Sequence, residues 1–111
     1  MAIPDKNKKD IVKTLGDLLK ETRESKNLLL RELAAAIHVD TAMISKFEKG
    51  ERKPTREQVI KLAKTLELDE KFLLTHYLSE KILDELQEDA LAGDALKMAE
   101  AKMKLSRKNK K

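Results

Sequence analysis

Apolar residues recur along this chain at the three- and four-residue spacing of a helix. Ile11, Leu15, Leu18, Leu19 and Thr22 form the first such stripe and predict a helix from about Lys9 to Ser25. Asp10 and Asp17 stand early in it, Arg23 and Lys26 late, as the helix dipole favours. A second helix is predicted over Leu30 to Ile37, with Leu33, Ala34 and Ile37 on its buried stripe. A third starts after Asp40, a good N-cap, and runs to Lys49, where Gly50 supplies a left-handed stop. Pro54 ends any continuation, and Thr55 caps a fourth helix over Arg56 to Leu66 that buries Val59, Ile60, Leu62, Ala63 and Leu66. Asp69 opens a long fifth helix reaching about Gln87. Gly93 and the acidic "QEDALAGD" interrupt the pattern before a sixth, Asp94 to Lys104, with Leu96, Ala99 and Met103 on one stripe. No strand signal and no internal repeat occurs.

Composition agrees with an all-α fold. Of 111 residues 40% are charged and 3% aromatic, with no cysteine, so disulfides and thiolate metal sites are excluded. No apolar run approaches the length of a membrane span, and "MAIPDKNKKD" lacks the apolar stretch of a signal peptide, so a cytoplasmic location is expected. The net charge of +4 is unevenly spread. Residues 1–66 carry 15 Lys/Arg against 10 Asp/Glu, whereas residues 67–94 carry two lysines against nine acids. The last eight residues hold five cations and no acid, with so little to bury that disorder is expected of the tail. Different surfaces for different partners would explain this alternation; solvated helix faces would explain the acidic part more plainly. The pattern divides the chain into an arm (1–8), a main helical unit (9–75), a helical extension (76–105) and a basic tail (106–111).

The spacing around residues 34–50 is the most specific feature. Ala34 is small enough for two helices to cross closely, His38 falls at the turn, and Val39, Ile44 and Phe47 point inward. This is the recipe of a helix-turn-helix, whose second helix enters the DNA major groove N-terminus first. Residues 15–73, above all "ELA", "IHVDTAMISKFEKGERKPT" and "LAKTLELDEKFL", resemble the Cro and phage-repressor type of helix-turn-helix domain, the XRE family. The resemblance implies a five-helix lambda-repressor-like DNA-binding domain, followed here by a C-terminal helical extension.

It also implies roles for residues. Thr41 and Ala42, with Lys46 one turn later, would face base edges; the lysine can donate to guanine, and a threonine or alanine methyl can meet a thymine methyl. Met43 and Ser45 flank them near sugar and phosphate. Glu48 would pair with Arg23 as a structural ion pair. Phosphate contacts are expected from Lys49, Arg52, Lys53 and Thr55, since residues 41–56 hold five cations against two acids. Two departures stand out. Leu29 and Leu30 occupy the start of the second helix, where many members have a serine or threonine cap and a phosphate-gripping glutamine; Arg31 is the nearest substitute. His38 stands where glycine is usual, and histidine tolerates positive φ better than most residues. As a metal ligand it is poor, with His76 its only companion, and no metal or cofactor is expected.

Phe72, Tyr77, Leu78, Ile82 and Leu86 exceed what one face of a lone helix needs, so they either complete a monomer core or join two copies. The latter is expected, because two-fold DNA readers place recognition helices about 34 Å apart. The reading is a dimeric repressor of an inverted-repeat operator on double-stranded DNA, nucleoid-associated and not membrane-bound. The alternative is an antitoxin or interaction module using the acidic segment 67–94. No catalytic constellation is present, and an enzyme is not expected.

Overall fold

The computed structural model describes residues 13–109 as six helices: α1 (Leu15–Ser25), α2 (Leu30–Ala36), α3 (Thr41–Lys49), α4 (Arg56–Leu66), α5 (Glu70–Leu86) and α6 (Ala92–Asn109). No strand occurs among the described residues.

Capping chemistry sets most of the starts. Thr14 Oγ1 accepts the Asp17 amide at 3.0 Å, and Asp17 Oδ2 accepts the Thr14 amide at 3.3 Å. This capping box fixes the start of α1 at Leu15, which corrects the expected start near Lys9. Asp10 and Ile11 lie outside the described residues. Asp40 Oδ1 caps Met43 at 2.7 Å, Thr55 and Gln58 form a second box, and Asp69 Oδ2 takes the Phe72 amide at 2.8 Å. Leu29 has no acceptor to offer α2; only the reciprocal half of a box exists, Glu32 Oε1 taking the Leu29 amide at 2.7 Å.

The ends share one device. After α1, α2, α3 and α4 the chain passes through a left-handed residue: Asn27 (φ 57°), His38 (φ 62°), Gly50 (φ 76°) and Glu67 (φ 58°). Each is flanked by the paired carbonyl bonds of a Schellman motif, such as Val39 N–H to Ala34 O at 3.0 Å and His38 N–H to Ala35 O at 3.3 Å. Three of the four positions carry a side chain, and each such residue costs about 1–2 kcal/mol in this region, less for asparagine and histidine. His38→Gly removes that strain at the expense of unfolded-chain entropy. We expect a net gain of about 0.5–1 kcal/mol, raising Tm by a few degrees. A lower Tm in a thermal melt of the variant would mean that the imidazole makes stabilising contacts.

The core lies among α1 to α5. Leu15, Leu19, Leu33, Ile37, Ile44, Phe47, Val59, Leu62, Leu66 and Leu73 are buried together, and Ala34 and Ala63 fill the narrow places. Each large side chain contributes about 1.5–3 kcal/mol on burial. Gly16 marks the closest helix contact: a Cβ there would meet the Glu48 and Phe47 carbonyl oxygens, the latter at 2.6 Å. Backbone thus lies against backbone where α1 crosses the end of α3.

The chain divides into two compact units, residues 1–80 and 81–111. The second holds the last turn of α5, a tight turn in which Asp89 Oδ1 accepts the Leu91 amide at 2.8 Å, and α6. Gly93 lies inside α6 instead of breaking it, and the helix runs to Asn109. The expected disorder of the tail is therefore corrected for residues 106–109, which are helical. Alanine, leucine, lysine and methionine between 95 and 105 are strong helix formers and carry the helix through. No helix among the described residues is long and apolar enough to cross a membrane.

Candidate nucleic-acid interface

Asp40 sets the first turn of α3, and Ile44 and Phe47 anchor its inner face in the core. The opposite face is thereby turned outward: Thr41, Ala42, Lys46 and Lys49 are all exposed. Ala42 and Lys46 are four residues apart and so share that face one turn from each other. A small N-terminal end followed by an ammonium gives a convex, hydrogen-bonding surface of helix width.

Behind this face sits the best-made polar contact of the domain. Arg23 Nε donates to Glu48 Oε2 at 2.7 Å and Arg23 Nη2 to Glu48 Oε1 at 3.2 Å, a two-pronged pair buried on both sides. Arg23 Nη1 also donates to the Leu28 carbonyl at 2.8 Å. The hydrogen bond to Glu48 raises the guanidinium pKa, outweighing the opposite effect of burial. One side chain therefore ties α1, the α1–α2 connection and α3 together. Nearby, Lys26 Nζ lies 2.7 Å from Glu67 and holds that exposed carboxyl below its ordinary range.

The other candidates are less uniform. Arg31 and Arg52 are exposed and Ser45 is half-buried. Met43 is half-buried and packs against the core, so its thioether serves the fold as much as the surface. Thr55 Oγ1 is occupied as an acceptor by the Gln58 amide at 3.2 Å, which leaves its hydroxyl proton available. Lys53 is engaged by Glu80, Nζ to Oε1 3.0 Å, and a phosphate contact from it has to compete with that carboxylate. Glu80 itself accepts the Leu15 amide at 2.6 Å, joining α5 to the start of α1.

Sequence reasoning missed three residues. The Thr14-x-x-Asp17 spacing ahead of an apolar run is a legible capping signature, and a glycine inside a helical stripe, as at 16, signals close approach. Glu80 carries no local signal, since its amide partner is 65 positions away. The five residues expected at a dimer interface also separate. The Phe72 ring meets that of the buried His76 in a T-shaped contact, centroids 4.9 Å apart, and Tyr77 packs on the core. Tyr77 thus packs within its own domain, and Phe72 lies against a neighbour on its own helix. Leu78 and Ile82 are exposed and Leu86 half-buried. Among the described residues no group of three His, Cys, Asp or Glu is placed to hold a metal ion.

Two helices crossing at a tight left-handed elbow, the second presenting a small and basic outer face within a five-helix core, define a helix-turn-helix domain. Residues 19–73 match the family described as Helix-turn-helix, of the XRE type, and the chain belongs to this family. The P22 c2 repressor protein, solved in complex with synthetic operator 9T, is similar over 56% of this chain and 94% of its own, at 22% identity and TM-score 0.53. The clp gene regulator ClgR from Corynebacterium glutamicum is similar in two crystal structures. One matches at 29% identity over 68% of this chain and 80% of its own, with TM-score 0.52. The other matches at 27% identity over 60% and 86%, with TM-score 0.51. No curated protein matches the chain.

Proposed function

We propose that the chain is a sequence-specific DNA-binding transcriptional regulator, a repressor that binds an inverted-repeat operator as a dimer. The observation that carries this is the outward face of α3, with Thr41, Ala42 and Lys46 exposed on a helix whose back is locked by the Arg23–Glu48 pair. A helix of about 10–12 Å diameter fits a major groove about 12 Å wide. Thr41 and Ala42 offer methyl groups to thymine, and Lys46 donates to guanine O6 or N7. Arg31, Ser45, Lys49, Arg52 and the Thr55 hydroxyl hold phosphates on either side and set affinity without reading sequence. The likeness to a repressor solved on a synthetic operator and to a gene regulator supports the same reading.

The test is a gel shift on the DNA upstream of the protein's own coding region, with salt varied and Lys46→Ala alongside the natural chain. Lys46→Ala is expected to lose about 1–3 kcal/mol of discrimination against competitor DNA while non-specific binding persists. Arg52→Ala should weaken all sequences alike and lower the salt slope by about one. Equal operator preference with and without Lys46 would remove it from the base-reading set. An affinity indifferent to salt would contradict the DNA reading itself.

A further inference from the structure

The segment 81–111 exposes more apolar surface than a lone helix pair can keep in water. Ile82, Leu83, Leu91, Met98, Met103 and Leu105 are between 48% and 66% exposed. Every described side chain of α6 from Gly93 to Arg107 is exposed, and Leu96, Ala99 and Met103 fall at the i, i+3, i+7 spacing of a packing stripe. A helix of this length draws most of its stability from packing one apolar face, so this stripe calls for an occupant.

Charge identifies the occupant. Residues 81–94 hold one cation and five acids, whereas residues 95–111 hold seven cations and one acid, so the segment runs from −4 to +6. Duplex DNA would meet the basic half and be repelled by the acidic one. An acidic protein would satisfy the basic half and leave five carboxylates against its own. A second copy satisfies both, because a two-fold contact sets each half against the other twice. We propose that residues 81–111 form a self-complementary dimerisation element. In it the basic α6 of one protomer lies antiparallel to the acidic half of its partner, with Leu96, Ala99 and Met103 between them. The proposal rests on the reading of the chain as a two-fold DNA reader, which requires a dimer without saying what builds it.

The test uses sedimentation velocity on the full chain. The natural protein is expected to be a dimer whose Kd rises roughly tenfold or more between 0.1 and 0.5 M salt, as exposed ion pairs are screened. Lys102→Glu with Lys104→Glu lowers the basic half from +6 to +2, and Glu85→Lys with Glu88→Lys brings the acidic half from −4 to 0. Each double variant alone is expected to dimerise roughly tenfold or more weakly than the natural chain, and an equimolar mixture of the two to dimerise more tightly than either. Both keep the circular dichroism melt of residues 1–80, since all four positions are exposed in the other unit. A monomeric natural protein, a double variant that dimerises as tightly as the natural chain, or a mixture no tighter than its separate components would each overturn the proposal. Binding to a DNA half-site separates the two readings. If the natural chain dimerises as described and binds no half-site, the DNA reading fails and the dimer stands; retained half-site binding by a monomeric chain does the reverse.

Discussion

Replacing Glu48 by alanine is expected to lower the stability of the domain by about 3–5 kcal/mol, because it strands a buried guanidinium. The pair is two-pronged and close, and both side chains are nearly enclosed, 10% and 6% exposed. A fall of that size is a large part of the total for a domain this small and shifts Tm by on the order of 20 °C. DNA binding is lost with the fold, not before it. Arg23→Met combined with Glu48→Leu should recover most of the loss, since removing both charges leaves neither unpaired. Thermal melts of the single and double variants decide the matter. Loss of DNA binding by Glu48→Ala at an unchanged Tm would show that Glu48 acts on DNA and does not merely brace α3. Arg23 has a raised pKa, so what its protonation contributes is present below its unfolded value and is lost only as pH rises through the higher folded one, far into the alkaline range.

The second large effect is expected at Gly16. An added Cβ would meet main-chain carbonyls of Phe47 and Glu48, which cannot swing aside as a side chain could. Gly16→Ala therefore pushes α1 away from the end of α3, at a cost of about 1–3 kcal/mol, only partly offset by the better helix propensity of alanine. Because the same crossing aligns Arg23 with Glu48, larger residues at 16 should disturb the pair as well. Gly93 is the internal control. Nothing lies within 4 Å of a Cβ there, so Gly93→Ala should be neutral or stabilising by up to about 1 kcal/mol. Equal melting temperatures for the two variants would mean that α1 and α3 do not approach as described.

The contrast between these glycines shows what could be read in advance. The helices of the first unit were legible because their apolar stripes, their Asp or Thr caps and Pro54 all agree, and α4 lies where periodicity puts it. Helix ends fell within a residue of the expected ones, at Ser25, Ala36, Lys49, Leu66 and Leu86, but a left-handed stop was advertised by its own residue only at Gly50. Asn27, Glu67 and Gln87 adopt the same left-handed backbone without any local sign, because tertiary packing pays for a strain that local propensity opposes. His38 was readable through the spacing of its neighbours and not through its own chemistry. At the interface the exposed face of α3 follows from which residues must be inward. The engagement of Lys53 by Glu80 does not, since it depends on how α5 returns to the start of the fold, 27 residues downstream. Leu29 departs from the family pattern visibly in sequence; that Glu32 supplies half a cap in its place emerges only from the backbone.

Arg23 and Glu48 are 25 positions apart, and the whole helix-turn-helix lies between them. The clamp thus closes a loop of set length, with both ends buried and its interior filled by Leu33, Ala34, Ile37 and Ile44. One residue inserted or deleted between 24 and 47 would rotate a helix by about 100° relative to its own anchor. This part of the chain can therefore diversify by exchange of side chains but not by change of length. A search for altered DNA preference should vary positions 41, 42 and 46 at constant spacing, and should look for tolerated insertions outside the clamp.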